Sequence, residues 1–138
     1  MKSTKRVLID TSTLFSALGW TGAPFRVLAK IHEEDFELVL TDYIIDELSD
    51  HIKDYPEERR KEAFQSMEYL KETSIIVESK WETKLKQAEK LVGENKDAPI
   101  MAAFLLDEID ILITSDLKDF PIEDFEQILT PKNFLKEY

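Results

Sequence analysis

Two acidic residues, Asp10 and Asp116, stand where carboxylates could do chemistry together, and Asp97 and Glu47 are weaker candidates to join them. Asp10 follows the apolar run VLI at 7–9, and Asp116 lies just beyond ILIT at 111–114. In an open α/β sheet, ligands bind outside the carboxyl ends of the strands, where strand order reverses. If these two strands are neighbours, the two aspartates meet at that edge. Like charges do not gather without compensation, and a divalent cation is the usual one. Oxygen donors with no cysteine or histidine among them suit a hard ion, Mg²⁺ or Mn²⁺.

Each residue also has a plainer reading. An aspartate just after a strand often caps a turn or helix. Ser12 in DTST, with Thr114 and Ser115 in TSD, are turn formers as readily as they are residues that orient a carboxylate or a water. In KDAPIMAAF, Asp97 has the position of an N-cap with Pro99 in the first helical turn. Glu47 points away from the stripe Ile45, Leu48 and Ile52, but Asp46 and Asp50 are on polar positions too. Spacing alone does not choose among the three.

The elements that must position these residues alternate between strand and helix. Lys5 to Ile9 reads as a buried strand, Thr13 to Leu18 as a helical turn, and Gly22 to Glu34 as a helix. FELVL at 36–40 is a second strand. Thr41 is the N-cap of a helix running to about Asp54, Pro56 interrupts, and Glu57 to Glu72 forms another helix. IIV at 75–77 is a third strand, and 81–92 an amphipathic helix ending near Gly93. Asp97 opens a helix over DAPIMAAFLLDE, DILIT at 110–114 is the fourth strand, and FEQIL at 125–129 the fifth. Such alternation implies right-handed crossovers and a mainly parallel sheet covered by helices.

The 138 residues suit a single domain over 1–138, and 43% hydrophobic with 34% charged residues fits a globular chain. Cysteine is absent, which excludes disulfides, zinc–thiolate sites and cysteine nucleophiles. The opening MKSTKR and the few apolar residues before Asp10 are too short for a signal peptide or membrane span, so a reducing cytoplasm is expected. The net charge of -11 opposes broad capture of nucleic acid. EERRKE at 57–62 reads as an exposed helix face with pairs such as Glu57 and Lys61. Trp20 and Phe25 are expected in the core, or else in a dimer or partner groove.

Taken in order, VLIDTSTLFSAL, IIDEL, KDAPIMAAF and ILITSDLKDF resemble the PIN domain, the nuclease fold of VapC-type toxins in toxin–antitoxin pairs. The resemblance runs from about Val7 to Phe120. It implies a three-layer α/β/α sandwich around a sheet of about five strands in order 3-2-1-4-5. It matches Asp10, Glu47, Asp97 and Asp116 to the family's four acids, and Asp119 to an additional acid that some members use. Ser12 departs from the asparagine common at that position. A serine there is expected to keep a polar contact with the aspartate while offering fewer hydrogen bonds.

What the resemblance implies is a metal-dependent endoribonuclease. One or two Mg²⁺ or Mn²⁺ ions would be held by the four acids, with Asp10 as the candidate bridge. Arg6, Lys96 and Lys118, with Lys5, flank the blocks and are candidate contacts to RNA phosphates. A homodimer and a neutralising antitoxin protein are implied partners. A phosphotransfer enzyme with an aspartate after its first strand would need a second acid where Ser12 stands. The stronger rival is a PIN-like scaffold that binds a protein or RNA partner without cleaving.

Overall fold

The computed structural model describes residues 4–138; residues 1–3 of the MKSTKR opening lie outside them. Five strands form one sheet: β1 (Lys5–Ile9), β2 (Phe36–Thr41), β3 (Ile75–Val77), β4 (Ile111–Ile113) and β5 (Ile128–Leu129). All neighbouring pairs are parallel and their order is 3-2-1-4-5. Val7, Leu8 and Ile9, and likewise Ile111, Leu112 and Ile113, are each at most 1% exposed. Successive strand residues point to opposite faces, so the sheet centre is covered on both. The expected α/β architecture is thus present.

Among the described residues there are seven α-helices, six of them between strands and the last after β5. They are α1 (Thr11–Gly19), α2 (Ala23–Glu33), α3 (Asp42–His51), α4 (Glu57–Thr73), α5 (Leu85–Val92), α6 (Ala98–Phe104) and α7 (Pro131–Glu137). None is long and apolar enough to cross a membrane. Several ends differ from expectation. α3 stops at His51, and a 3₁₀ turn over Ile52–Asp54 delivers Tyr55 to the interior. A second 3₁₀ stretch, Lys80–Lys84, precedes α5 where one continuous helix was expected. α6 ends at Phe104, because Leu105 to Ile109 tighten into turns that bring the chain back to the sheet. There the Asp110 N–H donates to the Arg6 carbonyl.

The fifth strand is only two residues long, and Phe125 before it packs edge-on to Phe104. Helix α7 was not expected at all. Its signal is short: Thr130 accepts from the Asn133 N–H at 3.0 Å, Pro131 occupies the first turn, and Phe134 is fully buried against Phe36. The Glu57–Lys61 pair is not among the ion pairs of the described residues. Arg59 and Arg60 instead reach inward, to the Gly19 and Tyr55 carbonyls respectively.

Tyr55 fastens the far end of α1. Its ring stacks on Phe15 at 4.1 Å, and its hydroxyl donates to the Phe15 carbonyl at 2.5 Å. A Cβ at Gly19 would lie 2.5 Å from the Tyr55 ring, which is buried and cannot swing away. Gly19→Ala should therefore cost about 1–3 kcal/mol of stability, the usual range for overpacking, as read by urea unfolding.

Candidate functional site

Strand β1 runs directly into Asp10, whose N–H donates to the Ile113 carbonyl at 3.1 Å and so continues the β1–β4 pairing. The Asp10 carboxylate caps α1, accepting from the Thr13 N–H at 3.0 Å. Its other oxygen accepts the Thr114 hydroxyl at 2.6 Å, and the residue is only 4% exposed. Thr114 follows β4 and is fully buried; its oxygen accepts from the Asp116 N–H at 3.1 Å. One hydroxyl thus joins the first and fourth acids. The neighbouring turn is held by the Ser115 N–H, which donates to the Thr13 hydroxyl oxygen at 3.1 Å.

Glu47 comes from the other side of β1. Thr41, at the end of β2, caps α3 by accepting from the Ile44 N–H at 3.1 Å. Three residues further on, Glu47 is half-buried and accepts the Thr11 hydroxyl at 2.7 Å. Asp46 and Asp50 are exposed. The contact that distinguishes Glu47 from them is a hydroxyl on α1, which helical spacing along α3 does not show.

Asp97 stands at the cap position of α6, yet its side chain makes no cap bond and its backbone is already helical (φ −82, ψ −20). The expected cap role is therefore not what its carboxylate does. Its N–H is satisfied by Asn95 Oδ1 at 2.9 Å, and the carboxylate faces like charges. Burial raises its pKa first, then the charge of Asp119, against which Lys96 pulls it down; Asp10 and Asp116 raise it further. The pKa of Asp10 is raised chiefly by burial and to a lesser degree by Asp116, with the Thr114 and Thr13 hydrogen bonds opposing. Asp10, Asp97, Asp116 and Asp119 thus share one electrostatic neighbourhood.

Among the described residues, the buried polar side chains are Asp10, Thr11, Thr13, Thr41 and Thr114. Every one lies at or just beyond the carboxyl end of β1, β2 or β4. Sequence reasoning missed Thr11, Thr13 and Tyr43. The Tyr43 phenol is pushed up to about 12 by burial, and further by the charges of Glu47 and Asp97. Their i, i+4 spacing, one turn apart on the same helix, was the available signal for Tyr43 and Glu47.

Other expected residues fall elsewhere. Ser12 is exposed and gives Asp10 no hydrogen bond; Thr13 and Thr114 fill that role. Lys5 and Arg6 sit at the amino end of β1, with Arg6 roughly 13 Å along the strand from Asp10. They are not brought to the acids. Lys96 and exposed Lys118 do flank them, Lys118 in a 3₁₀ turn, Leu117–Asp119, that also carries Asp119. Trp20 and Phe25 are 44% and 45% exposed rather than in the core. They line a cleft of about 830 Å³ between α1, α2 and α4.

No family model matches this chain, and no curated protein matches it. The site must then be judged on its own chemistry. An all-carboxylate donor set fits a hard divalent cation. As the side chains stand, no three acidic or histidine side chains of the described residues converge closely enough to ligate one ion. The fit is therefore one of donor type and charge.

Two outcomes follow from these contacts. Thr114→Val leaves a buried carboxylate oxygen and the Asp116 N–H without partners, which should cost about 1–3 kcal/mol in urea unfolding at pH 7. A raised pKa in the folded state means that protonated Asp97 contributes stability below its ordinary value of 3.8, and that this is lost as pH rises through the folded value. Asp97→Asn should accordingly raise the melting temperature of the metal-free protein at pH 7. About 1–2 °C is expected for a partly exposed group. The gain should shrink as the pH approaches 3.8.

Proposed function

We propose that this protein is a divalent-cation-dependent endoribonuclease, the toxin of a toxin–antitoxin pair. The observation that carries the reading is the gathering of the buried polar side chains of the described residues, with the four acids, at one end of three strands. A fold that surrounds a buried aspartate with donors, and sets further carboxylates against it, gains nothing in stability from those repulsions. Cation binding gives them a use. The order and content of the four sequence blocks supply the resemblance to PIN nucleases.

Asp10, Asp97, Asp116 and Glu47 would hold Mg²⁺ or Mn²⁺. The bound cation would supply charge to the scissile phosphate and acidify an attacking water. Asp10 is fixed by Thr13 and Thr114, so its carboxylate offers a defined direction for a ligand. Glu47, steered by Thr11, binds directly or orients water. Lys96 and Lys118, which flank Asp97 and Asp119, would touch an RNA phosphate. With a net charge of -11, affinity for RNA would rest on loop shape and local contacts rather than on general attraction. A basic segment of an antitoxin would complement the acidic mouth, and a homodimer belongs to the same reading.

A non-cleaving scaffold that binds a protein or RNA partner is the second reading. It is favoured by one observation: both Asp10 oxygens already have internal partners, as a purely structural cap would. Asp10→Asn separates the two. Asparagine can still accept from the Thr13 N–H, so the fold should survive. For the nuclease, calorimetric Mn²⁺ binding and cleavage of structured RNA are present in the wild type and lost in the variant. A wild type that binds no Mn²⁺ overturns the nuclease reading.

A further inference from the structure

Tyr43 lies in the first turn of α3 and is half-buried beside the acids. Its hydroxyl donates to the main-chain carbonyl of Lys96 at 3.2 Å, the carbonyl of the peptide that leads into Asp97. On the other side of that peptide, the Asp97 N–H donates to Asn95 Oδ1 at 2.9 Å, and Asn95 Nδ2 donates to the Val92 carbonyl at 2.9 Å. The segment entering α6 is thus gripped from both sides, and Tyr43 supplies the grip that comes from another element. Glu47 lies one turn further along α3, close enough for its charge to act on the same phenol.

The Tyr43 ring is itself held. Trp81 packs edge-on to it with ring centroids 5.7 Å apart, and the Trp81 indole N–H donates to Asp42 Oδ1 at 2.7 Å. Asp42 Oδ2 accepts from both the N–H and the hydroxyl of Ser79 at 3.2 Å. Ser79 has a left-handed backbone (φ 57), which points its N–H back toward α3. Asp42 therefore ties the loop after β3 to the start of α3, and Trp81 on that loop buttresses the tyrosine. Tyr43 and Trp81 are only partly buried and pack on the outside of the core, whose buried residues from α3 are Ile44 and Leu48.

We propose that Tyr43 is a positioning residue of the acidic site, fixing Asp97 relative to Glu47 through the hydrogen bond of its hydroxyl to the Lys96 carbonyl. The role rests on the reading of these acids as a cation site. The phenol keeps its proton at neutral pH and remains a donor. It acts at one remove from substrate, by fixing the backbone that carries Asp97.

Tyr43→Phe tests this, because phenylalanine keeps the ring against Trp81 and removes only the hydroxyl. The melting temperature should stay within about 2 °C of wild type. Hydrogen exchange at the Asp97 and Ala98 amides should quicken, and Mn²⁺ affinity by calorimetry should fall about 2–10-fold, the worth of one hydrogen bond. In an Asp97→Asn background, Tyr43→Phe should change Mn²⁺ affinity no further, since the hydroxyl acts through that carboxylate. Unchanged exchange at both amides, or additive losses of affinity, would overturn the proposal. If the wild type binds no Mn²⁺, the nuclease reading fails by itself, and the exchange measurement still decides whether Tyr43 fixes Asp97.

Discussion

The carboxylate of Asp10 is the point on which the two halves of this molecule meet. A charge only 4% exposed is costly unless its oxygens find donors, and these come from two different places. One is the first turn of α1, the other the end of β4. Satisfying that single group therefore fixes the direction in which the chain leaves β1 and the register of the turn after β4. Through the Thr114 oxygen it also sets the backbone of Asp116. The threonines around it do the same for Glu47, with Thr11 steering its carboxylate and Thr41 starting its helix.

Electrostatic stress is the other side of that arrangement. Burial raises the Asp10 and Asp97 carboxyls, and the neighbouring acids raise them further, while the charge of Lys96 relieves Asp97. Stability alone would favour spreading these charges over an already acidic surface. Their concentration at the edge where parallel sheets bind ligands is the physical basis of the proposed site. Asp42 shows the contrast. It too is an acid near the end of a strand, but it accepts from Trp81, Ser79 and Tyr43, and those bonds lower its pKa. A carboxylate so satisfied is structural.

Much of this architecture is legible in the residues. Consecutive apolar positions at 7–9 and 111–113 announce strands covered on both faces, and Thr41 announces the start of α3. Strand order needed the family resemblance, since neighbouring strands leave no local mark on one another. The misjudged residues share a cause. Asp97 has the spacing of a cap, but its backbone N–H is met by Asn95 and its side chain turns elsewhere. Ser12 sits next to Asp10 in the chain yet faces outward, whereas Thr114, 104 residues away, makes the bond. Proximity in sequence gives no direction to a side chain, and Tyr43 escaped notice because its partner is a main-chain carbonyl on another element.

Helix α1 carries a consequence for how this protein moves. Nine residues are too few to stay helical alone, and such helices ordinarily fray from both termini. Here the amino end is sealed by the Asp10 carboxylate, and the carboxyl end is pinned by the Tyr55 hydroxyl and by Arg59 on the Gly19 carbonyl. Without a loose end, α1 has no partial way to unwind. The junction that carries Asp10 behaves as a fixed anvil, and compliance in the acidic mouth is left to the exposed 3₁₀ turn that bears Lys118 and Asp119.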